Sequence, residues 1–449
     1  MSSVVQKLPS RRTPVAGPVA QGKAADSSKN DKTLDSRINP LAISRDFTIL
    51  LVSLAVIGLG FGILGPIMPR LAEDRLHMSS SAMGLAYSMF AVSMVVFMLP
   101  AGYWADKVGR KPVMVVGVVM FGVTTLMLAF ITDAYQFALL RFVEGIGAAL
   151  ATPAAFALTA DIVPESKRGI AMGAEGTAEL LGAMGGPGLG GILASELGLN
   201  YPFYVGAALA LICALLILRI RAPKIVLTEK KPSMFAIFQS WKRNAVHNRS
   251  LYAVSVRAGV MGVVQGLWNL GLLLYWDDEI GLDPAQIGIA LSVGALAMML
   301  GTIPAGALTD RIGRRPNMIV GGTMMVFGLS LNLVATDFWH ILIIVAISDI
   351  AGAISNPAVG AMLADIMLEE ERGRVMGAYH VFQGTGNIVG FVLLGFLYGA
   401  VSHESPIILC SIMLAIATGI ITVFVAETRK PRKDSTNAST GAPMDPDHS

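Results

Sequence analysis

Six ionisable residues lie inside long apolar runs of this sequence: Arg141, Glu144, Glu175, Glu179, Arg257 and Asp349. In hydrocarbon such a group costs at least ~2.5 kcal/mol on insertion scales, so each marks a path for an ion or a polar ligand, or an ion pair that only ties helices together. Carboxylates in that setting can take up and release protons, and a nearby arginine biases which of them is charged. Glu175 and Glu179 stand at i and i+4 on one helix face, and Gly182 and Gly186 continue the stripe. Two like charges so placed repel, which favours a proton held between them. Glu179 is therefore the leading proton carrier, with Glu175 or Glu144 as its partner, and Arg141 and Asp349 complete the coupling set. Uncharged polar residues follow the same helical spacing: Tyr379, Gln383 and Asn387 at i, i+4 and i+8 with His380 beside them, and Gln265 with Asn269. With Phe61 and Trp268 as apolar faces, these eight residues are the expected lining of a substrate cavity. His380 is either a titrating group or a hydrogen-bonded cavity residue.

Arg141 and Arg257 oppose Glu144, Glu175, Glu179 and Asp349, an excess of negative charge that favours a lipophilic cation or a neutral amphipath as cargo. No metal, cofactor or catalytic group is expected, and the chain does not read as an enzyme. Cys213 and Cys410, the only two cysteines, sit in apolar runs as packing residues. No nucleotide-binding loop of the G-x4-G-K-[ST] type occurs, so any uphill movement of a ligand along such a path would draw on an ion gradient.

The scaffold that holds these groups can be read from composition. Of 449 residues 54% are hydrophobic and only 14% charged, which excludes an ordinary soluble domain. The fold class read from this is an all-α membrane protein of twelve transmembrane helices in two six-helix bundles. The apolar segments run over roughly 46–72, 80–105, 112–132, 135–160, 168–194, 202–221, 251–276, 284–309, 316–335, 339–364, 372–399 and 404–426. Residues 1–45 and 427–449 read as disordered tails, 222–250 as a linker, and 46–221 and 251–426 as the two bundles. If both tails lie on one side, that side receives all of the 34 Lys and Arg except Arg70, Arg75, Arg141 and Arg257, which places both termini in the cytoplasm. The net charge of +3 is too small to suggest a nucleic-acid partner.

The six-and-six division is also a repeat. At an offset of 204 positions Gly84 meets Gly288, Pro100 meets Pro304, Asp106 meets Asp310, Gly109-Arg110 meets Gly313-Arg314, Pro153 meets Pro357, Asp161 meets Asp365, and Arg168-Gly169 meets Arg372-Gly373. Two parallel repeats with a substrate path between them is a transporter architecture.

Gly102-Tyr-Trp-Ala-Asp106-Lys-Val-Gly109-Arg110-Lys111-Pro112, repeated as Gly306-Ala-Leu-Thr-Asp310-Arg-Ile-Gly313-Arg314-Arg315-Pro316, resembles the loop signature of the major facilitator superfamily. The glycines suit tight helix-to-helix turns and the prolines the first turn of the next helix. In helix 5, Gly173, Gly182, Gly186-Pro187 and Gly190-Gly191 resemble the G-x8-G-x3-G-P-x2-G-G signature of the drug:proton antiporters within that superfamily. Arg141-Phe-Val-Glu144-Gly145-Ile-Gly147 resembles their helix 4 signature, in which the arginine is linked to proton transfer; Glu144 stands where glutamine is usual and adds a titratable group. Gly62-Ile-Leu-Gly65-Pro66-Ile-Met-Pro69 in helix 1 is similar to the twelve-helix members.

The resemblance implies a secondary transporter of the plasma (inner) membrane, acting as a monomer on a small molecule and protons, and exporting by alternating access. It also implies that Asp106, Arg110 and Asp161, with Asp310, Arg314 and Asp365, form charge clusters that shut the cytoplasmic side. A proton-coupled uptake symporter for a sugar or organic acid is the alternative within transport. A transporter-like sensor or assembly partner that moves nothing is the alternative outside it.

Overall fold

In the computed structural model, which describes residues 44–221, 234–367 and 372–427, twelve long helices follow one another. They are α1 (Arg45–Leu64), α2 (Ser80–Val108), α3 (Arg110–Leu128), α4 (Ala134–Ile162), α5 (Arg168–Leu197), α6 (Tyr201–Leu218), α7 (Arg249–Asp278), α8 (Pro284–Ile312), α9 (Arg314–Ser330), α10 (Phe338–Ile366), α11 (Arg372–Ala400) and α12 (Ser405–Phe424). A shorter linker helix spans Met234–His247. Eleven of the twelve are long and apolar enough to cross a bilayer. The other is α5, whose apolar content is diluted by Glu175, Glu179 and a run of glycines. This is the all-α, multi-pass membrane fold that composition requires. The expected disordered tails, apart from residues 44, 45 and 427, and part of the linker lie outside the described residues.

The repeat reappears in how helices begin. Ser79 accepts the amide of Ala82 at the head of α2, and Asp283, 204 positions on, accepts that of Gln286 at the head of α8. Asp133 and Asp337 cap α4 and α10 in the same way, each accepting from two backbone amides. Gly109 and Gly313 carry φ of 122° and 118°, the left-handed backbone that lets α2 turn directly into α3 and α8 into α9. The first helix is shorter than its apolar run. Regular α1 ends at Leu64, and Pro66 and Pro69, which lack amide donors, break the rest of the run into a short helix at Met68–Arg70 and a wider turn at Leu71–Arg75.

α3, α6 and α12 carry apolar side chains outward, among them Val116, Val119 and Val123 of α3 and Leu211 and Leu215 of α6, as helices against lipid should. The first six helices meet the last six through α5 on α8 and α2 on α11. These contacts are intimate at the end of the bundle whose loops are acidic: the Gly188 amide donates to Ser292 Oγ at 2.9 Å, and Ser81 Oγ to the Gly395 carbonyl at 2.9 Å. At the opposite, basic end the same helices part. Gly169, Gly173 and Gly176 of α5 and Gly306 of α8 have open space where a Cβ would project, and Ile170 is 79% exposed. The bundle is closed at its acidic end and open at its basic end.

Candidate functional site

Two polar regions occupy the middle of the bundle. In the first six helices, Arg141 of α4 pairs with Glu144 one turn along, and both are buried. The guanidinium also lies over the rings of Phe90 (4.5 Å) and Tyr87 (5.1 Å), which adds cation–π attraction where water is excluded. Phe61 extends this cluster, its ring 6.0 Å from Phe90 and 5.8 Å from Phe121. Glu144 Oε1 has no hydrogen-bond partner among the described residues. Glu175 is 1% exposed beside Thr159, with neither carboxylate oxygen hydrogen-bonded among the described residues, whereas Glu179 one turn on is exposed. The two glutamates therefore face different surroundings although they are helix neighbours: one is enclosed against α4, the other open to the space between α5 and its surroundings.

The helix 5 glycines do two jobs. A side chain at Gly182, Gly186 or Gly190 would strike the backbone of α1 at Ala55, Leu59 or Ile63, so these positions seat α5 on α1. Gly191 meets the Pro284 carbonyl, and the Pro187 carbonyl lies against Gly288, so the same stretch seats α5 on α8. A side chain at Gly173 would meet nothing within 4 Å. Small residues here permit the backbone approach that closes the acidic end.

In the last six helices a cavity of about 240 Å³ is lined by Gln265, Trp268 and Asn269 of α7, Asp349 and Asn356 of α10 and Gln383 of α11, with Met261 and Met325 among its apolar walls. Asp349 is half-buried, and no hydrogen bond or ion pair engages its carboxylate among the described residues. Four of the eight residues expected to line a cavity are thus gathered with Asp349. The remaining four lie elsewhere. Phe61 belongs to the Arg141 cluster. Tyr379 lies beside Arg257, whose Nη2 donates to Ser355 Oγ at 2.8 Å. His380 is exposed, its ring edge-on to Tyr379 at 5.5 Å. Asn387 lies in the α7–α11 seam, with its backbone against Gly262 and Gly266.

At the basic end Arg110 pairs with Asp161 and also donates to the Ala157 carbonyl. Its repeat equivalent Arg314 pairs with Asp365 at 3.1 Å. Both pairs join consecutive helices, α3 to α4 and α9 to α10. Asp106 is half-buried near this end, and the side chain of Asp310 lies outside the described residues.

A model of the Major Facilitator Superfamily matches this chain twice, over residues 50–267 and 258–446. The chain belongs to the Major Facilitator Superfamily. Multidrug resistance protein 2 of Bacillus subtilis is 27% identical over 389 residues, covering 84% of this chain and 94% of that protein. Quinolone resistance protein NorA of Staphylococcus aureus is 26% identical over 400 residues, covering 88% and 100%. The crystal structure of a bacterial homolog of the human lysosomal transporter Spinster, in an inward-facing and unoccupied conformation, superposes with a TM-score of 0.69 at 15% identity, over 85% of this chain and 97% of that one. The fold is that of the superfamily, and the chain resembles its drug:proton antiporters.

Within this superfamily frame, sequence reasoning missed seven cavity residues: Asn356, Ser348, Met261, Met325, Val264, Leu329 and Leu414. Asn356 was detectable, since it lies seven positions after Asp349 and therefore on the same face of α10. The two methionines carried no distinguishing signal among the 24 in the chain.

Proposed function

We propose that this chain is a proton-coupled exporter of small organic compounds, of the multidrug type, in which residues 46–221 and 251–426 rock about the α5–α8 and α2–α11 contacts. The relatives named for multidrug and quinolone resistance support export. The excess of Lys and Arg at the open end supports a cytoplasmic location for that end and for both termini in a plasma membrane. On that orientation the bundle described here faces inward. The chain acts as a monomer on a small molecule and protons, without a nucleic-acid partner.

The observation that carries the reading is Asp349. An unpaired carboxylate, walled by Trp268, two methionines and four side-chain amides, offers a cation one charge, an aromatic face and adaptable apolar surface. A proton and a cationic cargo compete for the same carboxylate, and that competition is sufficient for exchange. Glu179, Glu175 and Glu144 with Arg141 form a second proton-bearing group in the first bundle. The Arg110–Asp161 and Arg314–Asp365 pairs, with Asp106 and Asp310, belong to the cytoplasmic gate, which is open in this state. One proton moving through 100 mV supplies about 2.3 kcal/mol, enough for a roughly fifty-fold cargo gradient.

The test is transport by purified protein in liposomes under an imposed pH gradient, against cationic, neutral and anionic compounds. Uphill movement of cations against a proton flux in the other direction is expected. Cargo accumulation in the same direction as the protons would replace export with symport.

A further inference from the structure

At the acidic end the two bundles are tied by an ion pair. Arg70, just beyond α1, donates through Nε and Nη2 to both carboxylate oxygens of Asp277 at the end of α7, at 2.9 and 2.8 Å. A two-pronged pair holds angle as well as distance. Around it lie Glu73 and Asp74 from the outer turn, Asp278 at the end of α7 and Glu279 just after it, Asp283 from the head of α8, Tyr398 of α11 and His403 in the loop that follows. Most of these are already occupied: Tyr398 donates to Asp278 at 2.6 Å, His403 Nδ1 lies 2.6 Å from Glu279, and Asp283 caps α8. Glu73, three positions beyond Arg70, is half-buried within electrostatic reach of Asp277 and Asp278, and no hydrogen bond or ion pair engages its carboxyl group among the described residues.

We propose that the outer face is a proton-operated latch, in which closing the Arg70–Asp277 pair draws the half-buried Glu73 into the acidic cluster of Asp277 and Asp278 and thereby takes up a proton from outside. The inference rests on the alternating-access reading above and adds a site that neither bundle possesses alone. Burial raises the affinity of Glu73 for a proton above that of an ordinary glutamate, and Asp278, Asp277 and Asp74 raise it further, against the opposing pull of Arg70. Burial by the closed interface, Asp277 and Asp278 act only when the face is shut; Asp74 is on the same turn and acts in both states. A group that binds its proton more tightly in the closed state stabilises that state at low pH, and the stabilisation disappears as pH rises through the closed-state value. Acid outside therefore shuts the latch and resets the carrier after cargo has left, whereas alkaline medium leaves it open.

The test places spin labels at Tyr135 and Val401, which are 88% and 62% exposed at the acidic ends of α4 and α11, in reconstituted full-length protein with the buried Cys213 and Cys410 replaced by alanine. Distance distributions are recorded at pH 5.5 and 7.5. The ratio of closed to open forms is expected to rise about threefold or more on acidification in the parent protein. In Glu73→Gln, which imitates the protonated group, the closed form should dominate at both pH values. Asp277→Asn should favour the open form at both, and the exchange Arg70→Asp with Asp277→Arg should restore closure, which shows that loss of the pair rather than loss of folding opened it. A pH response in Glu73→Gln as large as in the parent overturns the latch and leaves alternating access intact. A single distance at every pH overturns alternating access, and the latch with it.

Discussion

Arg141 and Glu144 form an ion pair one turn apart on α4, and Glu144 has no solvent exposure at all. A buried pair of this kind adds little net stability, but removing one member leaves the other charged without a partner, at a cost of about 3–5 kcal/mol. Glu144→Ala should therefore lower the melting temperature of the purified protein markedly. Glu144→Gln keeps a carbonyl acceptor for the guanidinium and should lose much less. In both variants the Phe90 ring, 4.5 Å from the guanidinium in the parent, is still available to Arg141. Equal melting temperatures for the two variants would mean that the pair does not anchor α4.

Gly191 and Gly173 share a helix and a motif but have opposite surroundings. A methyl group on Gly191 would strike the Pro284 carbonyl, whereas one on Gly173 would meet nothing within 4 Å. Gly191→Ala should hold the acidic ends of α5 and α8 apart and lower export about tenfold, the effect of ~1.4 kcal/mol against closure. Gly173→Ala should leave the fold intact and slightly stiffen α5. Labelling of a cysteine at the acidic end of α8 reads the difference directly: the label should enter faster in Gly191→Ala and at the parent rate in Gly173→Ala.

Asp161 and Asp365 make equivalent, partly exposed pairs with Arg110 and Arg314. Exposed pairs contribute under about 1 kcal/mol each, so Asp161→Asn and Asp365→Asn should barely move the melting temperature. If the paired loops are the cytoplasmic gate, transport should nevertheless fall, most of all in Asp106→Asn, while binding of a fluorescent cation remains. Binding and transport lost in proportion would remove these residues from the gate.

How legible the molecule was in its sequence depends on the range of the interaction. Apolar runs and the 204-position repeat found the helices, and the turns at Gly109 and Gly313 followed from the repeated loop signature; the caps at Ser79 and Asp283 and at Asp133 and Asp337 obey the same offset but took no part in that reading. The overrun of the first span came from reading hydrophobicity past Pro66 and Pro69, where backbone donors are missing. The cavity was partly legible because Gln265, Asn269 and Gln383 follow helical spacing. Trp268 shows only that aromatic residues favour such walls. Tyr379 and Asn387 share that spacing yet take other surroundings, since the 3.6-residue period identifies a face without saying which neighbour it meets. Arg70, in the short helix after α1, and Asp277, at the end of α7, lie 207 positions apart, and no local pattern connects them.

Asp349 and Trp268 reach the same cavity from α10 and α7, and Asp349 is the carboxylate there. If cargo cations bind at that carboxylate, protons compete with them, so cation affinity should rise with pH until Asp349 is fully ionised and then level off. Asp349→Asn removes the charge while keeping the volume and a hydrogen-bonding group. It should weaken binding of a lipophilic monocation by about 10- to 100-fold, or 1.4–2.7 kcal/mol, and make the remaining affinity independent of pH. A neutral amphipath of similar shape uses Trp268 and the methionines rather than the charge, and its affinity should change little. Trp268→Ala should do the reverse in part, weakening both ligands while leaving the pH dependence of the cation in place. Equilibrium binding of both probes at pH 5.5 and 7.5 to the parent and the two variants decides the matter. Undiminished, pH-dependent cation binding in Asp349→Asn would move the cargo site to the carboxylates of α4 and α5.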